Sequence, residues 1–240
     1  MVLAAGRGTR LGKLTRESPK GMLHAAGRPI LEWIVRHLVS QGFDRIAMNL
    51  HYRPEAIRDH FGDGSAFDVG ELRFFAEPEL FGTAGGIRHA AGFLAADGAF
   101  LVQYGDVVTD QDLAQLVDGH RERSVLATLL IHHRPGSNSV IALDDEGCVT
   151  RFLERPTPEE RSGIRSSWAF SGICVLEPEV LELIPEDRPS DLPRDVFTPL
   201  AAESAVHAQR LDGYRIAVDS PARLGQLRHA IAEGQCQISG

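Results

Sequence analysis

The sequence predicts an α/β fold with a doubly wound, mostly parallel sheet, and three observations predict it. Apolar runs of strand length alternate with stretches of helical periodicity over residues 1–121, the pattern of successive β–α–β units joined by right-handed crossovers. A glycine-rich turn follows directly on the first apolar run, at the strand end where such sheets open their ligand crevice. After Val125 the rhythm changes to strands joined by turns, which predicts a small β extension of the same sheet.

Residues 1–4 are apolar and predict the first strand. Only three or four residues precede Gly6, fewer than the roughly five a buried strand normally uses, so a shortened or late start is expected. A proline opens the helical pattern of residues 29–41, strand Arg45–Leu50 follows, and Pro54 opens helix Pro54–Phe61. Strand Glu71–Ala76, helix 84–95, strand Phe100–Tyr104 and helix 110–121 complete the alternation. In the extension, strands are predicted at 125–131, Ser139–Leu143, 148–153 and Trp168–Leu176. Asp144-Asp145-Glu146-Gly147 joins two of them as a hairpin turn, and its acids are those of a solvated turn, not a metal site. Helices return at Pro178–Leu183, 194–203 and 221–233, with short strands Val206–Arg210 and 215–218 between the last two. No repeat, low-complexity segment or interdomain linker interrupts the chain.

The 240 residues, 43% of them hydrophobic, suffice for one large core. A net charge of −8, from 25 basic and 33 acidic residues, argues against a nucleic-acid partner; cations that bind an anion must be concentrated locally. Cys148, Cys174 and Cys236 are odd in number, widely spaced and without metal-ligand spacing, which predicts reduced thiols and a cytoplasmic location. No apolar stretch approaches a membrane span and no signal-peptide pattern is present.

Residues 3–20 are the most informative. Gly6 and Gly8 let backbone N–H groups turn inward on a phosphate, and Arg7, Arg10 and Lys20 add fixed positive charge. The dinucleotide fingerprint needs a third glycine opening a helix, and the P-loop ends in Gly-Lys-Ser/Thr; this segment runs on instead to Ser18-Pro19-Lys20. Two carboxylates stand at strand ends. Asp106 follows the apolar run 99–104 and a glycine, Gly105, that permits close approach. Asp219 ends Arg215-Ile216-Ala217-Val218 before Ser220-Pro221, where a helix N-cap and a metal ligand are both open readings.

Leu3-Ala4-Ala5-Gly6-Arg7-Gly8-Thr9-Arg10-Leu11, closed by Pro19-Lys20, resembles the opening of the sugar-1-phosphate nucleotidylyltransferase family. The order of motifs extends the resemblance from Leu3 to about Ile231. It implies a Rossmann-like fold of the nucleotide-diphospho-sugar transferase type. The chain is then one domain, 1–240, with a nucleotide-binding half (1–124) and a half that binds the sugar and supplies the second metal ligand (125–240).

The resemblance also implies roles. Arg10, Lys20 and Asp106 are the catalytic set, with Mg2+ on Asp106 and Asp219. Leu3, Ala4, Ala5, Gly6, Gly8, Thr9, Arg10 and Gly105 hold the nucleotide. Glu77-Pro78-Glu79-Leu80-Phe81-Gly82-Thr83-Ala84 resembles the segment beside the base, with Glu77, Gly82, Thr83 and Ala84 in contact; Thr83 also reads as a helix N-cap. Glu77 and Glu79 each read either as an acceptor for guanine N–H groups or as a solvated loop carboxylate. Glu154-Arg155-Pro156 takes the place of a Glu-Lys-Pro triplet that binds sugar hydroxyls and phosphate, with a fork where the family has a point charge. Phe170-Ser171-Gly172 and Ser137-Asn138-Ser139 match sugar-side stretches, implicating Asn138, Ser171 and Gly172.

The implied reaction joins a nucleoside triphosphate, GTP by closest resemblance to short mannose- and heptose-1-phosphate guanylyltransferases, to a sugar 1-phosphate. A uridylyl-, thymidylyl- or adenylyltransferase is the near alternative. A non-catalytic nucleotide-sugar-binding subunit is disfavoured because the loop arginine and both carboxylates are present. A glycosyltransferase is disfavoured because no Asp-x-Asp pair ends the fourth strand. The sequence is compatible with a homo-oligomer without demanding one. His132 and His133 are strand neighbours facing opposite ways, which does not favour joint metal binding. Residues 191–195 read equally as a sugar contact or a solvated helix start, and Ser171 lacks a nucleophile elbow.

Overall fold

The computed structural model describes residues 1–238. The chain runs through β1 (Val2–Leu3), β2 (His24–Ala25), β3 (Arg28–Pro29), α1 (Ile30–Ser40), β4 (Arg45–Leu50), α2 (Pro54–Phe61) and β5 (Glu71–Ala76). Next come α3 (Gly82–His89), α4 (Ala91–Leu94), β6 (Phe100–Tyr104), β7 (Val107–Thr109), α5 (Leu113–Arg121), β8 (Ala127–His133), β9 (Ser139–Leu143) and β10 (Val149–Glu154). Then follow α6 (Pro158–Ser162), β11 (Trp168–Leu176), α7 (Thr198–Ala202), β12 (Val206–Arg210), β13 (Arg215–Ala217) and α8 (Pro221–Ala232). Among the described residues no helix is long and apolar enough to cross a membrane.

Two compact units interleave along the chain. The first comprises Met1–Leu80, Gln103–Ala114 and the chain from Asp212 onward; the second comprises Phe81–Val102 and Gln115–Leu211.

In the first unit β1 lies between two parallel neighbours, Val2 and Leu3 pairing with Met48 and Asn49 of β4 and with Gln103 and Tyr104 of β6. β4 pairs in parallel with β5 from Arg45↔Glu71 to Leu50↔Ala76. Strand order therefore reverses at β1, which puts a ligand crevice outside its carboxyl end. Buried Ile30, Leu31, Ile34, Val35 and Leu38 give α1 its apolar stripe. β7 and β13 form a separate antiparallel ladder, Val107 opposite Ala217.

β1 is shorter than the expected residues 1–4, and the reason is local. The Ala4 N–H donates to Asn49 Oδ1 at 2.8 Å, so it leaves the ladder one residue after Leu3. The helix expected over 110–121 begins at Leu113 because Asp110 is held by the 212–214 turn: its Oδ1 accepts the Tyr214 N–H at 2.6 Å.

The second unit is built on antiparallel pairs. β8 runs against β11, β12 adds to β8 in parallel, and β9 and β10 form a hairpin. Asp144 Oδ1 accepts the N–H groups of Glu146 (3.0 Å) and Cys148 (2.8 Å), so the acidic turn is an Asx turn. Phe152, Phe170 and Phe197 pack with ring centroids 5.2 to 6.4 Å apart. The helix expected over 84–95 starts earlier and breaks at Ala90 into α3 and α4; Gly85, Gly86 and Gly92 lower its helical propensity. Residues expected as one helix over 194–203 are a π-helical turn, Leu192–Phe197, followed by α7, and Pro178–Leu183 is a 3-10 turn.

Gly82 and Gly92 offer a paired test of this packing. Gly82 has φ +81°, and a Cβ there would lie 2.2 Å from the Ser190 carbonyl oxygen, whereas a Cβ at Gly92 meets nothing within 4 Å. Gly82→Ala should lower the unfolding free energy by about 1–3 kcal/mol. Gly92→Ala should raise it by about 0.5–1 kcal/mol. Urea unfolding of both variants checks the sign of each.

Candidate active site

Backbone close to β1 and β6 sets the floor of the site. The Gly105 N–H donates to the Leu3 carbonyl at 2.9 Å, and a Cβ on Gly105 would stand 2.7 Å from that oxygen, so only glycine lets the two strand ends approach. Asn49, the one buried polar residue of β4, accepts the Ala4 N–H and donates to Glu77 Oε1 at 2.7 Å. Three strand ends are thus joined at one side chain.

The loop leaves this floor through half-buried Leu3 and Ala4 and buried Ala5. Gly8 is left-handed (φ +64°), and a Cβ there would meet Lys20 Cβ at 2.9 Å. The Thr15 hydroxyl donates to the Gly8 carbonyl at 3.1 Å and Leu11 is buried, so loop residues 6–10 stand over a closed base, with Gly6, Thr9 and Arg10 exposed. Arg7 donates to His51 Nε2 at 3.2 Å, while His51 Nδ1 donates to the Glu77 carbonyl at 2.9 Å.

Four charged side chains meet above this floor. Lys20 Nζ pairs with Asp106 Oδ2, and Arg10 pairs with Asp219 Oδ2 at 3.1 Å. The Val218 N–H donates to the Asp106 carbonyl at 2.8 Å, which carries Asp219 beside Asp106 across the β7–β13 ladder. The N-cap of α8 is Ser220, whose Oγ accepts the Arg223 N–H at 3.3 Å. Asp219 is therefore not the cap; its side chain is paired with Arg10.

Glu77 is 4% exposed and committed to Asn49, so it is not a solvated loop carboxylate; Glu79 is exposed. Asn49 escaped the sequence reading. Its signal was a lone polar residue within the apolar run of β4.

In the second unit, Gly82 opens α3 and Thr83 lies inside its first turn, which corrects the expectation of an N-cap. The α3 N-cap is Phe81, without a side-chain bond. The chain at 190–192 crosses the start of α3: Ala84 N–H donates to Ser190 O at 3.0 Å, and Thr83 Oγ1 accepts the Leu192 N–H at 2.7 Å and donates to Asp191 at 3.3 Å. Asn138, Glu154 and Arg155 share one end of the β9–β10 hairpin, where Glu154 pairs with Ser139 and the Arg155 N–H donates to Asn138 O at 2.5 Å. Arg155 is left-handed (φ +50°), with Nε 3.5 Å from Glu154 Oε1. Burial, then the nearby Asp191 charge, pushes the Glu154 carboxyl above the usual glutamate value. Ser171 is fully buried where the β11 register shifts, next to Gly172 at φ +88°.

Residues 1–214 match the family described as nucleotidyl transferase, and the chain belongs to it. It is 35% identical over 205 residues to a mannose-1-phosphate guanylyltransferase of Mycobacterium tuberculosis, covering 85% of this chain and 55% of that one. It is 34% identical over 214 residues to a UTP–glucose-1-phosphate uridylyltransferase of Synechocystis, covering 83% and 54%. The chain thus spans little more than half the length of these relatives. Among solved structures, a putative glucose-1-phosphate thymidylyltransferase from Bacillus anthracis has the same fold, with a TM-score of 0.85 at 19% identity over 100% of this chain and 96% of that one. So does HddC from Yersinia pseudotuberculosis complexed with GMP-PN, with a TM-score of 0.75 at 22% identity over 96% and 97%.

The raised Glu154 value has a consequence for stability. A carboxyl with a higher value folded than unfolded holds its proton better in the folded chain, so stability falls as pH rises from the unfolded value, near 4.5, through the folded one. Glu154→Gln should therefore melt higher than the parent at neutral pH, with the difference vanishing below the unfolded carboxylate range. Melting temperatures measured across that range check it.

Proposed function

We propose that this chain transfers a nucleotidyl group from a nucleoside triphosphate to a sugar 1-phosphate, giving a nucleotide sugar and pyrophosphate. The observation that carries the reading is the pairing of Arg10 with Asp219 and of Lys20 with Asp106 beside the Gly6–Gly8 turn. These are two cations for phosphate oxygens and two carboxylates for a divalent cation.

The carboxylates suit magnesium. Each spends one oxygen on its basic partner, both are oxygen donors, and a magnesium ion bound to a nucleotide takes one or two carboxylates and fills its shell with phosphate oxygens and water. Bound there, it would neutralise charge on the triphosphate. Arg10, whose side chain is 71% exposed, has the reach and fork geometry for phosphate oxygens; Lys20, 13% exposed, supplies a point charge from below. A sugar-phosphate oxygen attacks the α-phosphorus in line. A new P–O bond forms, the bond from the α-phosphorus to the α,β-bridging oxygen breaks, and pyrophosphate leaves with its electron pair. The attacking oxygen is already ionised near neutral pH, so no general base is required; positioning and charge neutralisation supply the rate.

Asn138, Glu154 and Arg155 are read as the sugar-phosphate end, and Gly82 to Ala84 as the base end. GTP is the donor read from the mannose-1-phosphate guanylyltransferase relative and the Gly82-Thr83-Ala84-Gly85-Gly86 segment. The uridylyltransferase relative supports UTP as the second reading.

Asp106→Asn should lower pyrophosphate release by at least about 100-fold, because several kcal/mol of charge stabilisation rest on the metal site. Activity within a few-fold of the parent at saturating magnesium would remove Asp106 from it. A panel of GTP, UTP, dTTP and ATP against hexose and heptose 1-phosphates should show GTP preferred by about tenfold or more, the discrimination expected where a buried acceptor is left unmatched. A preference for UTP, dTTP or ATP with every sugar phosphate would end the guanylyl reading and leave nucleotidyl transfer standing.

A further inference from the structure

The β9–β10 hairpin has two ends. Glu154 opposite Ser139 marks the one already described, and Val149 opposite Leu143 marks the other. The strands between span roughly 15 Å at about 3.3 Å per residue. At the far end a cleft of about 560 Å³ opens between the hairpin and residues 163–168, a volume within the range of small-molecule sites.

The walls are chemically biased. Arg151, Arg165 and Arg210 line the cleft with Trp168, and Asp144 is the one acid among the lining residues. Asp144 Oδ1 is spent on the Glu146 and Cys148 N–H groups. Three guanidinium groups around one cavity run against a chain of net charge −8.

The cleft is also built. Successive strand side chains face opposite ways, yet Thr150 and Arg151 both line it, because the hairpin register shifts between Val149 and Arg151. The Arg210 guanidinium carbon lies 5.0 Å from the Trp168 ring centroid, and His133 meets that ring edge-on at 6.0 Å. Ser166 fixes the wall beside it, its hydroxyl donating to Ile141 O and accepting the Trp168 N–H at 3.2 Å.

We infer that this cleft is a second ligand site, for a nucleoside phosphate, with phosphate oxygens on Arg151 and Arg165 and the base against Arg210 and Trp168. Guanidinium forks match phosphate oxygens in pairs. A guanidinium layered with an indole presents a flat, cationic surface to a planar ring. None of the lining residues belongs to the site described above.

The test is titration of the full chain with GDP, following the tryptophan fluorescence that Trp168→Phe removes. A saturable change is expected, with its midpoint raised at least about tenfold in R151A/R165A, the loss of charge-assisted bonds to phosphate. Lysine at both positions keeps the charge without the fork and should give an intermediate midpoint; that variant decides the matter if the alanine pair does not fold. Guanosine and inorganic phosphate should each bind at least about tenfold more weakly than GDP. The proposal is overturned by the absence of a Trp168-dependent change at millimolar GDP, by a midpoint unaltered in the variants, or by equal affinity for inorganic phosphate.

Discussion

The Ala4 N–H leaves the β1 ladder and must find an acceptor inside the protein, since a buried amide left unpaired costs about 1–3 kcal/mol. Asn49 supplies it, and because Asn49 also donates to Glu77, one amide ties the carboxyl end of β1 to those of β4 and β5. The glycine loop leaves β1 directly after this tie, at Ala5 and Gly6. Gly105, packed against the Leu3 carbonyl, closes the floor on the β6 side and delivers Asp106 at its edge.

The charged groups above that floor contribute chemistry more than stability. Exposed ion pairs contribute about 0–1 kcal/mol, so the Arg10–Asp219 pair, at 71% and 28% side-chain exposure, can part for a phosphate at little cost. Lys20 and Asp106 are more enclosed, at 13% and 23%. Their arrangement holds a lysine against a carboxylate at a strand end, where a polyanion would compete for the lysine and a divalent cation for the carboxylate. The proposed reaction asks for that exchange of partners.

The second unit supports its own polar end by packing. Phe152 sits two residues before Glu154 on β10 and packs against Phe170 and Phe197, which anchors the strand next to the hairpin end that carries Glu154. At that end burial, then the Asp191 charge, disfavours ionised Glu154. Thr83, expected to cap its own helix, instead stitches the 190–192 crossing to α3.

Short-range chemistry was legible in the sequence. Alternating periodicity located β4, α2, β5, β6, β9, β11 and β12, since their apolar patterns are set by which face each residue must bury. The glycine loop, Arg10, Lys20, Asp106 and Asp219 were legible as types suited to phosphate and metal, and residues 144–147 as a hairpin turn, whose Asx hydrogen bonds the structure supplied. Long-range partners were not. That Ser220 caps α8 while Asp219 faces Arg10, that Glu77 turns inward to Asn49, and that Thr83 bonds a segment more than a hundred residues away depends on which backbone groups lack partners after the chain has folded. A register shift in the β9–β10 hairpin likewise gathers Arg151 with Arg165 and Arg210, residues with no shared motif. Local pattern specifies what each segment buries; only tertiary packing decides which polar groups are left to find one another.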